Sequence, residues 1–357
     1  MNEKDDELRK IIFDLIKSNG PIHMSEFMSI CLYDSNYGYY KNSRVIGNKG
    51  DFITSPEISQ VFGELIALSI FNNAKNSEIN KINFLELGPG KGTLIRDILK
   101  TIDKINNNGF EINPLLYEKN TALKDIQKKR LLKYKCKWIE NLSEISEIPT
   151  YIIANEFFDA LPINQIVSNN GFWYERKIGL KDNTFCFELG SKIIDTVEIS
   201  PYPSGKIIED RLYTKNFLVN IFDVIIKNKG ALIIIDYGQL EENFINGNTL
   251  QGVKKHKKSD IFENIGLTDL SSWVNFSDFI KDLPKEIKYQ GPITQKEFLI
   301  NLGIKSRFEN LAKNKSSTER RFLFTQFERL VSSSHMGQAF KVMILYSEKM
   351  KSFEGFK

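Results

Sequence analysis

The chain has 357 residues, 41% of them hydrophobic and 26% charged, with a formal net charge of +4. That is enough chain for a full core and more than one lobe, and the composition is that of an ordinary globular protein. So small a net charge gives no case for nucleic-acid binding, and no apolar run approaches the roughly 20 residues that span a bilayer.

Leu8, Ile11, Ile12, Leu15 and Ile16 predict a helix over 8–16, stopped by Asn19-Gly20-Pro21. A second short helix is expected over 25–32, with Ser25 as its N-cap. Next comes Tyr33-Asp34-Ser35-Asn36-Tyr37-Gly38-Tyr39-Tyr40, a loop so aromatic that it must pack on something. It either staples an N-terminal lobe to the core or faces a substrate. Ser55-Pro56 then starts a helix over 57–71, with proline in the first turn.

Strands are expected at 82–87, 113–118, 136–139, 150–155 and 229–236, with helices at 93–104, 121–133 and 210–227. The apolar strand runs suit a parallel sheet buried on both faces. About seventy residues separate the last two strands, far more than a crossover needs. Gly171 to Leu189 alternates like a hairpin, so a β-rich insertion is expected there. From Tyr237 to His335 the chain reads as loops followed by helices, a lid, and residues 340–346 read as a closing strand.

The three cysteines, Cys31, Cys136 and Cys186, and the three histidines, His23, His256 and His335, are scattered. This fits a reducing compartment and gives no metal-ligand spacing, so no metal is expected. The acidic start, Met1 to Glu7, argues against a secretory signal or an Arg-rich transit peptide, and the expectation is a cytoplasmic protein without stable membrane insertion.

The richest motif is Phe84-Leu85-Glu86-Leu87-Gly88-Pro89-Gly90-Lys91-Gly92-Thr93, a buried strand running through glycines into a helix. Dinucleotide folds use G-x-G-x-x-G with a pyrophosphate at the helix start. Here the third glycine comes one residue early. The E-x-G-x-G-x-G form resembles motif I of the class I S-adenosylmethionine-dependent methyltransferases. Their cofactor has no phosphate but carries a sulfonium and an amino group, which suits Glu86. Glu118, at the end of the second strand, is placed to accept hydrogen bonds from ribose hydroxyls. The candidate cofactor residues are Glu86, Gly88, Gly90, Gly92, Thr93, Glu118 and Asn155.

Asn155 ends the fourth strand and leads into Glu156-Phe157-Phe158-Asp159-Ala160-Leu161-Pro162. Ligands of open α/β sheets lie at the carboxyl ends of the strands, so these residues border a transferable methyl group. In a helical turn Glu156 and Asp159 point to one face and can grip a guanidinium through a bidentate fork. Alternatively Glu156 caps the next helix and Asp159 makes a surface ion pair. Asp51, Glu57 and Glu64 form another acidic cluster around a helix start at Thr54 or Ser55, either a plain cap or a cover over the cofactor. Asp51 joins Glu156 and Asp159 as a candidate catalytic acid.

Four strings, GDFITSPEISQVFGE (50–64), LELGPGKGTLIRDIL (85–99), ANEFFDALPINQ (154–165) and MGQAFKVM (336–343), together resemble the MidA family of class I methyltransferases. The likeness runs from about Tyr33 to Tyr346. It implies an α/β fold, a Rossmann-like, mostly parallel sheet whose last strand is antiparallel, with an N-terminal helical lobe, a β-rich insertion and a helical lid. The expected division is 1–80 for lobe and cofactor cover, 81–165, 229–240 and 338–350 for the core, 166–228 for the insertion and 241–337 for the lid. The resemblance also implies S-adenosyl-L-methionine as cofactor and protein arginine methylation, the acceptor in mitochondrial members being an NADH dehydrogenase subunit. One departure stands out. Val253-Lys254-Lys255-His256-Lys257-Lys258 occupies a place where relatives carry aromatic and arginine residues; it is either a solvated loop or a contact for the acceptor, and in the second case it bears on which protein is the acceptor. The alternatives are a small-molecule N- or O-methyltransferase and an assembly factor that works by holding a partner.

Overall fold

The computed structural model describes residues 3–41, 53–106, 109–193, 203–240, 248–254 and 257–356. Asp51 and the Lys255-His256 part of the basic run lie outside the described residues. The first helix, α1 (Glu3–Asn19), leads through a two-residue strand, β1 (Ile22–His23), into α2 (Met24–Tyr33). Leu8, Ile12 and Ile16 pack with Phe27, Met28 and Leu32 in one buried cluster, so helical spacing of apolar residues builds this lobe. Ser25 is not the cap. His23 holds that position, and Ser25 lies inside α2, its backbone N–H donating to Asn164 Oδ1 at 3.2 Å.

The single helix expected over 57–71 is two, α3 (Ser55–Ile58) and α4 (Gln60–Asn76). Ser59 breaks them by taking extended backbone and capping α4, its hydroxyl accepting from Val61 N–H at 3.4 Å. Then β2 (Lys81–Leu87), α5 (Thr93–Ile105), β3 (Glu111–Tyr117), α6 (Thr121–Arg130), β4 (Lys137–Ile139) and β5 (Thr150–Asn155) alternate as the periodicity predicts.

The insertion holds β6 (Asn164–Asn169), β7 (Phe172–Lys181), β8 (Thr184–Lys192) and β9 (Ile207–Asp210). β1 joins this antiparallel sheet, with Ile22 opposite Ile178, so lobe and insertion share hydrogen bonds. The core resumes with α7 (Leu212–Asn228) and β10 (Ala231–Gln239).

The segment read as loops and helices contains more strand than expected. A small sheet is made of β11 (Gln251–Lys254), β12 (Lys257–Ser259) and β13 (Asp269–Ser271), and β14 (Val274–Asn275) pairs with the end of β10. Gly238 permits that pairing, since a Cβ there would lie 2.0 Å from the Val274 carbonyl oxygen. β15 (Ile287–Thr294) is followed by α8 (Gln295–Asn301), α9 (Ile304–Ala312), α10 (Ser317–Val331), α11 (Met336–Ala339) and the closing β16 (Phe340–Ser347).

The central sheet runs β15-β16-β10-β5-β2-β3-β4. Neighbours from β4 to β10 are parallel, and β16 is antiparallel to β10 and β15. This is the Rossmann-like class I methyltransferase arrangement, with β15 an unforeseen edge strand. Along β2, Ile82 and Phe84 bury in one core against α4 and α5, and Leu85 and Leu87 in the other against α7. Burying both faces explains the unbroken apolar runs. Strand order reverses between β2 and β5, which opens a crevice at their carboxyl ends.

Candidate active site

A cavity of about 960 Å³ fills that crevice. It is roofed by the N-terminal lobe and α3 and walled by residues following β2, β3, β5 and β10. Eight sequence-predicted residues line it together: Glu86, Gly88, Gly90, Thr93, Glu118, Asn155, Glu156 and Asp159. Gly92 does not. It starts α5 with φ +74°, and a Cβ on it would face Gln127 Cγ at 3.4 Å and Leu131 rather than the cavity.

In the half nearest the glycine turn, Gly88 has φ +59° and donates its N–H to the Tyr117 carbonyl at 3.0 Å. Glu86 is buried, and its Oε2 accepts from Ile95 N–H at 3.1 Å in the first turn of α5. Burial pushes its carboxyl up to about 8, with the charges of Glu118 and Asp97 acting the same way and the Ile95 hydrogen bond against. Glu118 Oε1 accepts from Asn120 N–H at 2.8 Å and Oε2 from Gln127 Nε2 at 3.2 Å. Burial raises the Glu118 carboxyl as well.

Gln127 was not expected here. Fully buried, it also donates from Nε2 to the Gly90 carbonyl at 2.7 Å and accepts the Trp138 indole N–H at 2.7 Å. It thus brackets the glycine turn to the acid of the next strand. The signal was a lone amide between Leu123 and Leu131 on the buried stripe of α6. Arg130 reaches the Thr93 hydroxyl, which donates to Glu57, and Arg130 lies 3.5 Å from the Glu57 carboxylate. The start of α3 is thereby tied to the start of α5, as a cover requires.

Among the buried polar atoms on cavity-lining residues that lack a hydrogen-bond partner are the donor Asn120 Nδ2 and the acceptor Asn155 Oδ1. Orphaned buried groups are costly unless a ligand or water satisfies them. A donor near Glu118 and an acceptor at the end of β5 suit an adenosine with an amino-acid tail, so the residues present fit the cofactor that the motif implies.

Glu156 and Asp159 do share the cavity, but not as a helical turn. Glu156 takes φ +53°, and the chain through Asp159 is a bend and turn. Its geometry comes from pinning. Glu156 N–H donates to Ile235 O at 2.9 Å, and the N–H groups of Phe158 and Asp159 donate to Asp236 Oδ2 at 3.0 and 3.3 Å. The Tyr33 hydroxyl donates to Ala160 O at 2.8 Å, and Ser272 N–H donates to Asp159 O at 3.0 Å. Burial rules out the surface ion pair for Asp159, which is only 9% exposed and whose Oδ1 has no partner.

Burial and the Asp159 charge push Glu156 up to about 8. Burial pushes Asp159 up to about 6, opposed by the Ala160 N–H, the Tyr237 hydroxyl and the charge of Arg211. Asp236, wholly buried, is raised by burial and by both neighbouring carboxylates. It too was missed, although, like Glu86, it is an acid within a buried core strand.

Residues 65–293 match the family described as "Putative S-adenosyl-L-methionine-dependent methyltransferase". The chain belongs to this family, MidA. S-adenosyl-L-methionine is the cofactor of this methyltransferase. Among its relatives, the mitochondrial protein arginine methyltransferase NDUFAF7 homolog of Caenorhabditis elegans is 31% identical over 98% of this chain and 88% of its own. The human protein arginine methyltransferase NDUFAF7 is 28% identical over 95% of this chain and 82% of its own. A superfamily member from Burkholderia thailandensis, solved bound to S-adenosyl-homocysteine, superposes with a TM-score of 0.84. That pair is 22% identical over 98% of this chain and 94% of the other, a likeness of fold. Among the described residues no helix is long and apolar enough to cross a membrane, and no group of three or more His, Cys, Asp or Glu residues could hold a metal ion.

Proposed function

We propose that this methyltransferase modifies an arginine nitrogen of a protein, with Glu156 and Asp159 holding the guanidinium. The observation that carries this reading is the unpartnered Asp159 Oδ1, buried beside Glu156 and one turn of chain from Asn155 at the end of β5. A buried carboxylate oxygen without a donor calls for a cation. The printed names of the relatives, protein arginine methyltransferases, support the same substrate class. The family resemblance makes an NADH dehydrogenase subunit the first acceptor to try.

When bound, the cofactor supplies a methyl group made electrophilic by its sulfonium. A guanidinium is a poor nucleophile, because its lone pairs are delocalised and its pKa exceeds 12. Two carboxylates from one pinned turn fix its plane and hold positive charge on the nitrogens that do not attack. Transfer forms an N–C bond, breaks the S–C bond and releases one proton from the attacking nitrogen. Glu156 and Asp159, with carboxyls poised around neutrality by burial, are placed to accept that proton. Glu118 and Asn120 hold the adenosine end, with Gln127 bracing Glu118 from behind, and Glu57 closes the cover.

Glu156→Gln or Asp159→Asn should leave cofactor affinity nearly unchanged and lower methyl transfer at least about a hundredfold, roughly 2.7 kcal/mol of transition-state stabilisation. The acceptor is first found by peptide mass spectrometry of a deletion strain, as a methyl mark that disappears. Transfer is then followed with purified enzyme and labelled cofactor. Wild-type turnover in both variants would remove the pair from the chemistry and favour a protein that works by holding its partner.

A further inference from the structure

The tyrosine-rich loop divides its labour. Tyr39 is buried and meets Tyr40 edge-on at 5.2 Å between ring centroids, which makes Tyr39 the staple. Tyr33 and Tyr40 stack at 5.5 Å with their planes 29° apart, and both line the cavity. Tyr237 and Trp273 also line it and meet at 6.5 Å with planes 87° apart. Tyr33 is 44% exposed and Trp273 42% exposed although both stand in the cavity wall. Large rings left this bare in a concave wall are uncommitted contact surface. Trp273 is held by its backbone, whose N–H donates to Thr249 Oγ1 at 2.8 Å and whose carbonyl takes the Arg211 guanidinium. Asp269 lines the same space, and its charge and that of Asp159 act on the hydroxyls of both Tyr33 and Tyr40.

We propose that Tyr33, Tyr40, Tyr237 and Trp273 form an aromatic cage that reads the flat faces of the acceptor cation, while Asp159 and Asp269 take its edge. The proposal rests on the arginine reading and adds a specificity site to it. Rings attract cations through their electron-rich faces, and a planar, weakly hydrated guanidinium can lie flat on them while hydrogen-bonding at its rim. A lysine ammonium is compact and strongly hydrated, so it loses more on entering such a wall. The cage therefore discriminates by shape and hydration, which a pair of carboxylates alone does not do.

The test uses the full chain saturated with S-adenosyl-homocysteine and three capped amino acids, N-acetyl amides of arginine, lysine and citrulline, the last a planar neutral mimic. Binding is followed by calorimetry or ligand-observed NMR. The arginine probe should bind about tenfold tighter than either of the others. Tyr40→Ala and Trp273→Ala should each weaken it about tenfold, and Trp273→Phe should restore most of the loss. S-adenosyl-homocysteine affinity reports that the variants are folded and should not move. Unchanged arginine binding in both alanine variants, or lysine or citrulline binding as well as arginine, overturns the cage and leaves the arginine reading standing. Failure of the folded wild type to bind the arginine probe overturns both.

Discussion

Glu118 is a side chain with a structural role at the cavity wall and a proposed role toward the ligand. Its two oxygens already accept from Asn120 and Gln127, which orients the carboxylate at the cavity wall. Glu118→Ala should weaken S-adenosylmethionine binding by about 1.5–3 kcal/mol, the usual worth of hydrogen bonds to a charged group. Calorimetry checks it, and an unchanged dissociation constant would leave Glu118 with only its bracing role. Its place at the cavity wall was legible because it follows a strand after a complete strand-helix unit. The nearness of Glu156 and Asp159 was legible for the wrong reason: spacing suggested a helical face, but a left-handed residue and the buried Asp236 bring them together. Nothing local announces such pinning, since the acceptor lies 77 and 78 residues along the chain from its two donors. Gly92 departs from the expected placement. It belongs to the motif, yet it is not in the cavity wall, and a Cβ on it would meet Gln127 and Leu131.

At the scale of elements, the buried parallel strands were easiest to read, because burial on both faces leaves long apolar runs. β15 escaped because an edge strand buries little: Ile287 is its one buried residue, and a bulge between Gln290 and Ile293 breaks its alternation. The break between α3 and α4 escaped because a serine inside a helical pattern looks tolerable until its backbone is seen to extend. α6 carries the most consequential element-level feature, its Gln127 bracket joining β2's glycine turn, β3's acid and Trp138 of β4. Gln127→Met should keep the volume but strand the Gly90 carbonyl and the Trp138 indole N–H. A loss of about 1–3 kcal/mol of stability is expected. It should appear in urea as a lower midpoint at constant slope, with weaker cofactor binding. A midpoint equal to wild type would mean that water satisfies both groups.

For the whole molecule, the cavity acids set an unusual response to pH. Glu86 and Glu156 are pushed up to about 8 from 4.5, and Asp159 up to about 6 from 3.8. Because these folded-state values exceed the unfolded ones, the folded protein binds more protons between roughly pH 4 and 8. Stability should therefore fall as pH rises through that window, opposite to the effect of carboxylates held by ion pairs. Acceptor binding should rise over the same window as the carboxylates ionise, the apparent values belonging to the cluster rather than to single residues. Thermal unfolding of the ligand-free protein at constant ionic strength should thus give a lower midpoint at pH 8.5 than at pH 5.5. A flat or rising profile would show that the folded cavity already holds these groups ionised.

The position of β16 has a consequence for the making of the protein. It is the last strand among the described residues, yet it sits between β10 and β15. Until a ribosome has delivered Phe340–Ser347, both neighbours wait with a row of unpaired N–H and C=O groups, the pattern on which other chains nucleate. Met336, Ala339 and Phe340 also line the cavity, so its wall is completed in the same late step. A chain interrupted before residue 340 would be an adhesive, half-closed sheet rather than a smaller enzyme, and a nascent one has every reason to meet a chaperone first.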